Sequence, residues 1–355
     1  MLPVPRRWSD LDPAWMTAAL ARRYPGIVVE GLRVGDVRHG TNTSARVALS
    51  LEREEGPSSV FVKVPGRATH RLALVALGAL ATEARLADGA VRFPLEHPAF
   101  LAGGVDRWRA ACVVVTEDIV ASGATPFDAR TPLSVDAVGR GLEGLAALHA
   151  AHWARPLPAA LGCLSEWRLG PGLRALSVAS LARGMRRAHR VLGRGLRLPR
   201  GVGPRQLSHQ FARSSVLAAS PPRTVLHGDP HPGNCYGAVG GETGFFDWQL
   251  ARVGHWSHDV GYFLVGSLDV EDRRRHERGL LARYLDALGR AGAAPPPFGS
   301  AWERYRETPA FGLATWLHTL SFGTLQRVDV CMATVERFAA AYGDLGTART
   351  DVAAR

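Results

Sequence analysis

The chain reads as an α+β protein of two lobes, a small β-rich N-terminal one and a large, mainly helical C-terminal one. Three observations predict this. Short β-rich runs separated by turn-forming residues crowd the first third of the sequence, and Ala- and Leu-rich stretches at helical spacing dominate the rest. With 355 residues there is length for two domains, or one elaborated one, without disulfide or metal staples. The predicted division is residues 1–116, a hinge over 117–123, and residues 124–355.

A first helix is expected from Pro13 to Arg23, followed by strands at Ile27 to Val29, Ala45 to Leu51 and Val60 to Val64. Ala68 to Gly89 lacks proline and is predicted as one helix despite Gly78. Phe100 to Ile119 returns to strand character, with Gly103-Gly104 as its turn and Cys112 to Val115 as a buried strand. Ala121 to Pro132 has linker composition. Helices are predicted over Ser134 to Trp153, Gly172 to Leu192, Arg205 to Ala218 and Val270 to Leu288, with several more between Ser300 and Tyr342. Thr224 to Gln249 interrupts them with two short strands and two turn clusters.

Composition removes several classes. At 46% hydrophobic and 21% charged residues the chain is neither disordered nor fibrous. No apolar run approaches the roughly 20 residues of a membrane-spanning helix, so no membrane span is expected. The N-terminal Arg6 and Arg7 are followed by Ser9, Asp10 and Asp12 rather than an apolar stretch, which does not read as a secretory signal; a cytoplasmic location is expected. Cys112, Cys163, Cys235 and Cys331 lie far apart, without the spacing of a zinc or dithiol site, and read as buried small apolar residues.

The net charge of +11 is local. Between Ser165 and Val225 twelve arginines, Arg174, Arg183, Arg187, Arg190, Arg194 and Arg197 among them, meet a single acid, Glu166. Such a segment raises a nucleic-acid or membrane hypothesis, but Arg183 to Arg200 lacks the aromatic interleaving of a single-strand binder, and no nucleic-acid partner is expected. Of the 43 basic residues one is a lysine, Lys63. An ammonium and a guanidinium are not interchangeable at a tight phosphate site, so a solitary lysine marks its position.

The interrupting segment reads His227-Gly228-Asp229-Pro230-His231-Pro232-Gly233-Asn234, then Phe245-Phe246-Asp247-Trp248-Gln249. Its skeleton is an aspartate, an amide five residues on, and a second aspartate thirteen beyond at the end of an apolar strand. Phosphoryl transfer needs those groups: one carboxylate to orient and deprotonate a hydroxyl, and an amide with another carboxylate to hold magnesium on the nucleotide phosphates. No Walker-type loop is present.

These motifs resemble the aminoglycoside phosphotransferase and choline-kinase-like branch of the protein-kinase-like fold, and within it the ecdysteroid-kinase-like families, whose motif reads Asp-Phe/Trp-Gln. The resemblance runs from about Gly35 to Leu268. It implies an ATP- and magnesium-dependent kinase acting on a hydroxyl of a small molecule. Asp229 would be the catalytic base, Asn234 and Asp247 the magnesium ligands, and His227, Asp259 and His149 structural supports. Lys63, closing Val60-Phe61-Val62-Lys63, would grip the phosphates, with Glu83 in the next helix as its ion-pair partner. Gly40, Thr41, Asn42, Thr43 and Ser44 form a loop between strands able to cap phosphates, although it departs from Gly-x-Gly-x-x-Gly. Thr116-Glu117-Asp118-Ile119 falls at the hinge, where backbone atoms at Glu117 and Ile119 would meet adenine.

The resemblance implies that the acceptor binds between the catalytic loop and the helical insertions of the large lobe, the region that contains the arginine-rich segment. That charge disfavours a polycation and points to a neutral or anionic hydroxylated molecule, lipid-like or polycyclic if Trp248, Trp256 and Trp316 face it. Three alternatives stay open: a catalytically inactive nucleotide-binding scaffold, an antibiotic kinase, and arginines over 165–225 that form a solvated helix face instead of meeting the acceptor. Oligomeric state and the choice between ATP and GTP have no signal in the sequence.

Overall fold

A computed structural model describes residues 2–39, 42–53, 55–166, 171–193, 198, 202–323 and 325–346. The chain opens with α1 (Pro13–Leu20), whose Pro13 fits the first helical position and whose Asp12 side chain accepts from the Trp15 N–H at 2.7 Å. Then come β1 (Val29–Val34), β2 (Arg38–His39), β3 (Thr43–Leu51), β4 (Ser59–Val64), α2 (Ala68–Ala76), α3 (Thr82–Asp88), β5 (Phe100–Asp106) and β6 (Ala111–Glu117). The six strands make one antiparallel sheet in the order β1-β3-β4-β6-β5, with β2 paired to β3.

Alternation decides the two faces of this sheet. In β4, Val60, Val62 and Val64 enter an N-terminal core with Met16 and Leu20, which turns Phe61 and Lys63 to the other face. The unbroken apolar run of β6 is covered on both sides. Val113 and Val115 join the N-terminal core, while Cys112 and Val114 join the larger one.

The remaining chain is mainly helical: β7 (Thr125–Pro126), α4 (Val135–Ala151), α5 (Pro171–Leu192), α6 (Pro204–Ala218), β8 (Arg223–Leu226), β9 (Cys235–Gly237), β10 (Thr243–Phe245), β11 (Arg252–His255), α7 (Ser257–Ser267), α8 (Val270–Arg290), α9 (Phe298–Glu307), α10 (Pro309–Phe322) and α11 (Val328–Asp344). Two small sheets, β10-β9-β7 and β11-β8, are embedded among the helices and hold the loops of the candidate site. No described helix is long and apolar enough to cross a membrane.

Four expectations need correction. The single helix over 68–89 is two helices, because Gly78 takes a left-handed φ of +66° and breaks the ladder. Gly103-Gly104 is not a turn. Both glycines lie inside β5, and the turn falls at 107–110; a Cβ on Gly103 would overlap the Ala84 carbonyl of α3, so the residue serves close packing. Cys163 is half-buried, unlike the other three cysteines, and all four are free thiols. Trp248, Trp256 and Trp316 are 1%, 1% and 4% exposed, so they build the core and leave no aromatic platform for an acceptor.

Candidate active site

The cleft beneath the sheet is built from one buried ion cluster. Lys63, the inward residue of β4, sets its Nζ 2.9 and 2.8 Å from the two carboxylate oxygens of Glu83 in α3 and 2.9 Å from Asp247 Oδ1. Burial works against the ammonium, but the charges of Asp247 and Glu83 outweigh it, and the Lys63 pKa rises. Asp247 moves the other way: burial pushes its carboxyl up, yet facing Lys63 holds it below the usual range. Glu83 Oε1 also accepts the Trp248 N–H at 3.2 Å, tying α3 to the segment carrying Asp247. Trp248 itself stacks on Phe93 at 4.1 Å. Asp247 has φ 67°, a left-handed conformation that aspartate tolerates at a cost, and its ion contact with Lys63 helps to hold it.

The loop between β8 and β9 brings in the second carboxylate. Asp259, fully buried at the start of α7, accepts the His227 N–H at 2.7 Å and the Gly228 N–H at 2.9 Å, and His149 Nε2 lies 3.4 Å away. Those contacts brace the loop backbone just ahead of Asp229. The Asp229 carboxylate accepts from Asn234 Nδ2 at 3.2 Å and from the Tyr262 hydroxyl, and His231 Nε2 sits 3.7 Å off. Withdrawal from water and the nearby Asp247 charge raise the Asp229 pKa to about 7, against the lowering effects of Tyr262, Arg252 and Asn234. Its side chain keeps 24% of its surface open. A basic, part-open carboxylate can take a proton from a hydroxyl that reaches it.

Asn234 and Asp247 are joined through the backbone, since the Phe246 N–H donates to the Asn234 carbonyl at 2.9 Å. The Asn234 amide nitrogen is spent on the Asp229 carbonyl, at 3.0 Å, and carboxylate. Its oxygen has no partner among the described residues. Asp247 Oδ1 is buried and in charge contact with Lys63 without hydrogen-bond geometry. One carboxylate and one amide oxygen fit a magnesium ion that draws its other ligands from phosphates and water. A closed protein cage is not offered: the described residues contain no cluster of three His, Cys, Asp or Glu able to hold a metal.

The cleft encloses about 460 Å³, and Lys63, Glu83, Glu117, Ile119 and Asp247 all line it. At its far end Asp118 is held by Arg46 Nε and Ser59 Oγ, each at 2.7 Å, and Glu117 Oε2 accepts the Ala99 N–H at 3.2 Å. Gly40 and Thr41 of the expected phosphate loop lie outside the described residues, as do Arg194 and Arg197. Thr43 and Ser44 are strand residues of β3 rather than loop. Thr43 pairs with Val64, on the face away from Lys63, and Ser44 pairs with Lys63 on the cleft face. Asn42 Nδ2 reaches Gln249 Oε1 at 3.3 Å, past Asp247. Tyr262 and His231 escaped the sequence reading. For Tyr262 a signal existed, because it stands three residues after Asp259 and so shares its helix face.

Residues 53–308 match the model of the phosphotransferase enzyme family. No curated protein sequence matches the chain. Among solved structures, an ethanolamine kinase of Plasmodium vivax is similar at 11% identity, over 92% of this chain and 86% of that one, with a TM-score of 0.51. A choline kinase of Cryptosporidium parvum Iowa II is similar at 9% identity over 96% and 97%, with a TM-score of 0.50. A macrolide 2'-phosphotransferase of Brachybacterium faecium shows 17% identity over 90% and 98%, with a TM-score of 0.48. At these identities the likeness is one of fold, and the fold is the protein-kinase-like one.

Proposed function

The chain belongs to the phosphotransferase enzyme family, and we propose that this small-molecule kinase transfers the γ-phosphate of ATP to a hydroxyl of a neutral or anionic molecule, using magnesium. The observation that carries the reading is the gathering of Lys63, Glu83 and Asp247 in one ion cluster beside Asp229 and Asn234. In this reading residues 1–116 form the nucleotide lobe, 117–123 the hinge whose backbone at Glu117 and Ile119 receives adenine, and 124–355 the catalytic and acceptor lobe. Four free thiols and an ATP-consuming reaction suit the cytoplasm.

Asp229 orients the acceptor hydroxyl and takes its proton as the oxygen attacks the γ-phosphorus, while the bond from that phosphorus to the β,γ-bridging oxygen breaks and ADP leaves. The Tyr262 hydroxyl and the Asn234 amide fix the carboxylate in place. Lys63 holds the donor phosphates, and Glu83 keeps Lys63 extended. Asn234 and Asp247 would hold magnesium, whose contribution when bound is to neutralise charge on the phosphate oxygens. Asp259, His227 and His149 act at one remove, by fixing the loop.

The charge of α5 supports the acceptor class. Arg183, Arg187 and Arg190 line a groove of about 420 Å³, and among the described residues none of them is within ion-pair distance of a carboxylate. Arginines of α8 and α9 do have such partners: Arg273 with Glu277, Arg283 with Glu143 and Arg306 with Glu303. Arg187 donates to the Leu320 carbonyl at 3.1 Å, one turn beyond Trp316, whose ring meets His231 of the catalytic loop at 5.3 Å. The uncompensated field therefore lies near the acceptor side of the site and repels polycations. Turnover of ATP with a panel of purified hydroxylated acceptors tests this. Preferential use of anionic or neutral members is expected; preference for polyamines or aminoglycosides refutes it, and magnesium-dependent ATP binding without turnover of any acceptor favours the inactive scaffold.

A further inference from the structure

The ceiling of the cleft carries a second cation that the catalytic apparatus leaves unused. Arg38 of β2 pairs in register with Ser44 of β3, and Ser44 pairs with Lys63 of β4. Directly opposed residues of antiparallel strands send their side chains to the same face, so Arg38, Ser44 and Lys63 make one row. Two strand spacings, about 10 Å, separate the ends of that row. Arg38 and Lys63 both line the cleft, and two long side chains can converge on an object held between them.

Charge says what the object is. Lys63 is one cation already matched by two carboxylates, Glu83 and Asp247, so this part of the cleft has an excess of negative groups before any nucleotide enters. A triphosphate brings more negative charge than one divalent ion cancels. Arg46, on the same face, is spent on Asp118. Arg38 has no carboxylate within ion-pair distance among the described residues, and it stands in the row of Lys63.

We propose that Arg38 is a phosphate-binding residue for the donor nucleotide, contacting triphosphate oxygens opposite Lys63 from β2. The assignment rests on the reading of the cleft as the donor site. A planar, always-charged guanidinium supplies there the donors that successive glycine amides supply in a glycine-rich loop. Arg33 is an internal control. It pairs with Ala48, four residues along β3 from Ser44, which places it about 13 Å away towards the hinge on the same face.

The test is calorimetric binding of ATP and of adenosine, with magnesium, to the full chain and to Arg38→Ala, Arg38→Lys and Arg33→Ala. Arg38→Ala is expected to weaken ATP about tenfold, equivalent to about 1.4 kcal/mol, with adenosine unchanged and the lysine variant intermediate. Arg33→Ala should change ATP affinity by less than about threefold. Wild-type ATP affinity in Arg38→Ala overturns the assignment, as does a proportional loss of ATP and adenosine, or an equal loss in Arg33→Ala. A wild-type protein that binds neither ligand overturns instead the donor-site reading itself.

Discussion

Replacing Asp259 with asparagine removes one charge from a place no solvent reaches. Its carboxylate accepts the His227 and Gly228 N–H groups at 2.7 and 2.9 Å, with His149 Nε2 at 3.4 Å. Burial alone would raise its pKa, but the bond and charge of His149, with His258 and His227 behind it, keep it below the usual carboxylate range, so the native group is an anion. Hydrogen bonds to a charged acceptor contribute about 1.5–3 kcal/mol each. Asparagine keeps one oxygen, as a neutral acceptor, and sets an NH2 against the other backbone N–H. The expected destabilisation is about 3–5 kcal/mol, the range for a broken buried ionic cluster. At about 2 °C per kcal/mol for a large domain, the thermal midpoint should fall by about 6–10 °C. Because Asp229 follows Gly228 directly, a shift of about 1 Å in the loop should lower kcat by about 10²-fold. Scanning calorimetry and steady-state turnover on the same preparation check both figures. A midpoint within about 2 °C of wild type, together with near-normal kcat, would refute the bracing role.

Asp229→Asn should lower turnover by about 10²–10⁴-fold while leaving ATP affinity within a few-fold, as measured by single-turnover kinetics and nucleotide titration; surviving activity removes Asp229 from the mechanism. With the Asp229 pKa at about 7, the base is protonated below that pH, so log kcat/KM should rise with pH up to about 7 and then level; a flat profile from pH 5 to 8 contradicts it. The sign for stability is opposite: the folded state holds this proton between about pH 4 and 7 when the unfolded chain does not, so this group's contribution falls as pH rises through that window. Asp247→Ala should abolish the magnesium dependence of ATP binding, and calorimetry with and without the ion decides it. Gly103→Ala should cost at least about 2–3 kcal/mol, because the atom in the way is the Ala84 backbone carbonyl and cannot swing aside; a thermal midpoint equal to wild type would show that α3 can move off β5.

The local features were legible one at a time. The period-two pattern of Val60 to Val64 by itself predicts a strand with Lys63 opposite the valines, and the solitary lysine among 43 basic residues marks its importance. The spacing of Asp229, Asn234 and Asp247 likewise announces its chemistry, and Glu83 could be named from its place in the next helix. Where local rules failed, a long-range contact had the deciding vote. Gly103-Gly104 carries a turn signature, but α3 needs the room, and the strand runs through it. Trp248, Trp256 and Trp316 were available for an acceptor surface until Phe93, Tyr284 and His231 packed against them in the core.

What the sequence alone determined is therefore the set of reactive groups and the elements that carry them, since periodicity, capping and motif spacing act over a few residues. What only the tertiary structure decided is how those groups alter one another. The Asp229 carboxyl is pushed up to about 7 because Asp247, eighteen positions on, is folded back beside it and burial withdraws much of its surface from water. Arg38 gains a meaning through strand register, which brings it into line with Lys63 across a sheet. Electrostatic effects depend on distance through space and on burial, and neither is a property of position along a chain.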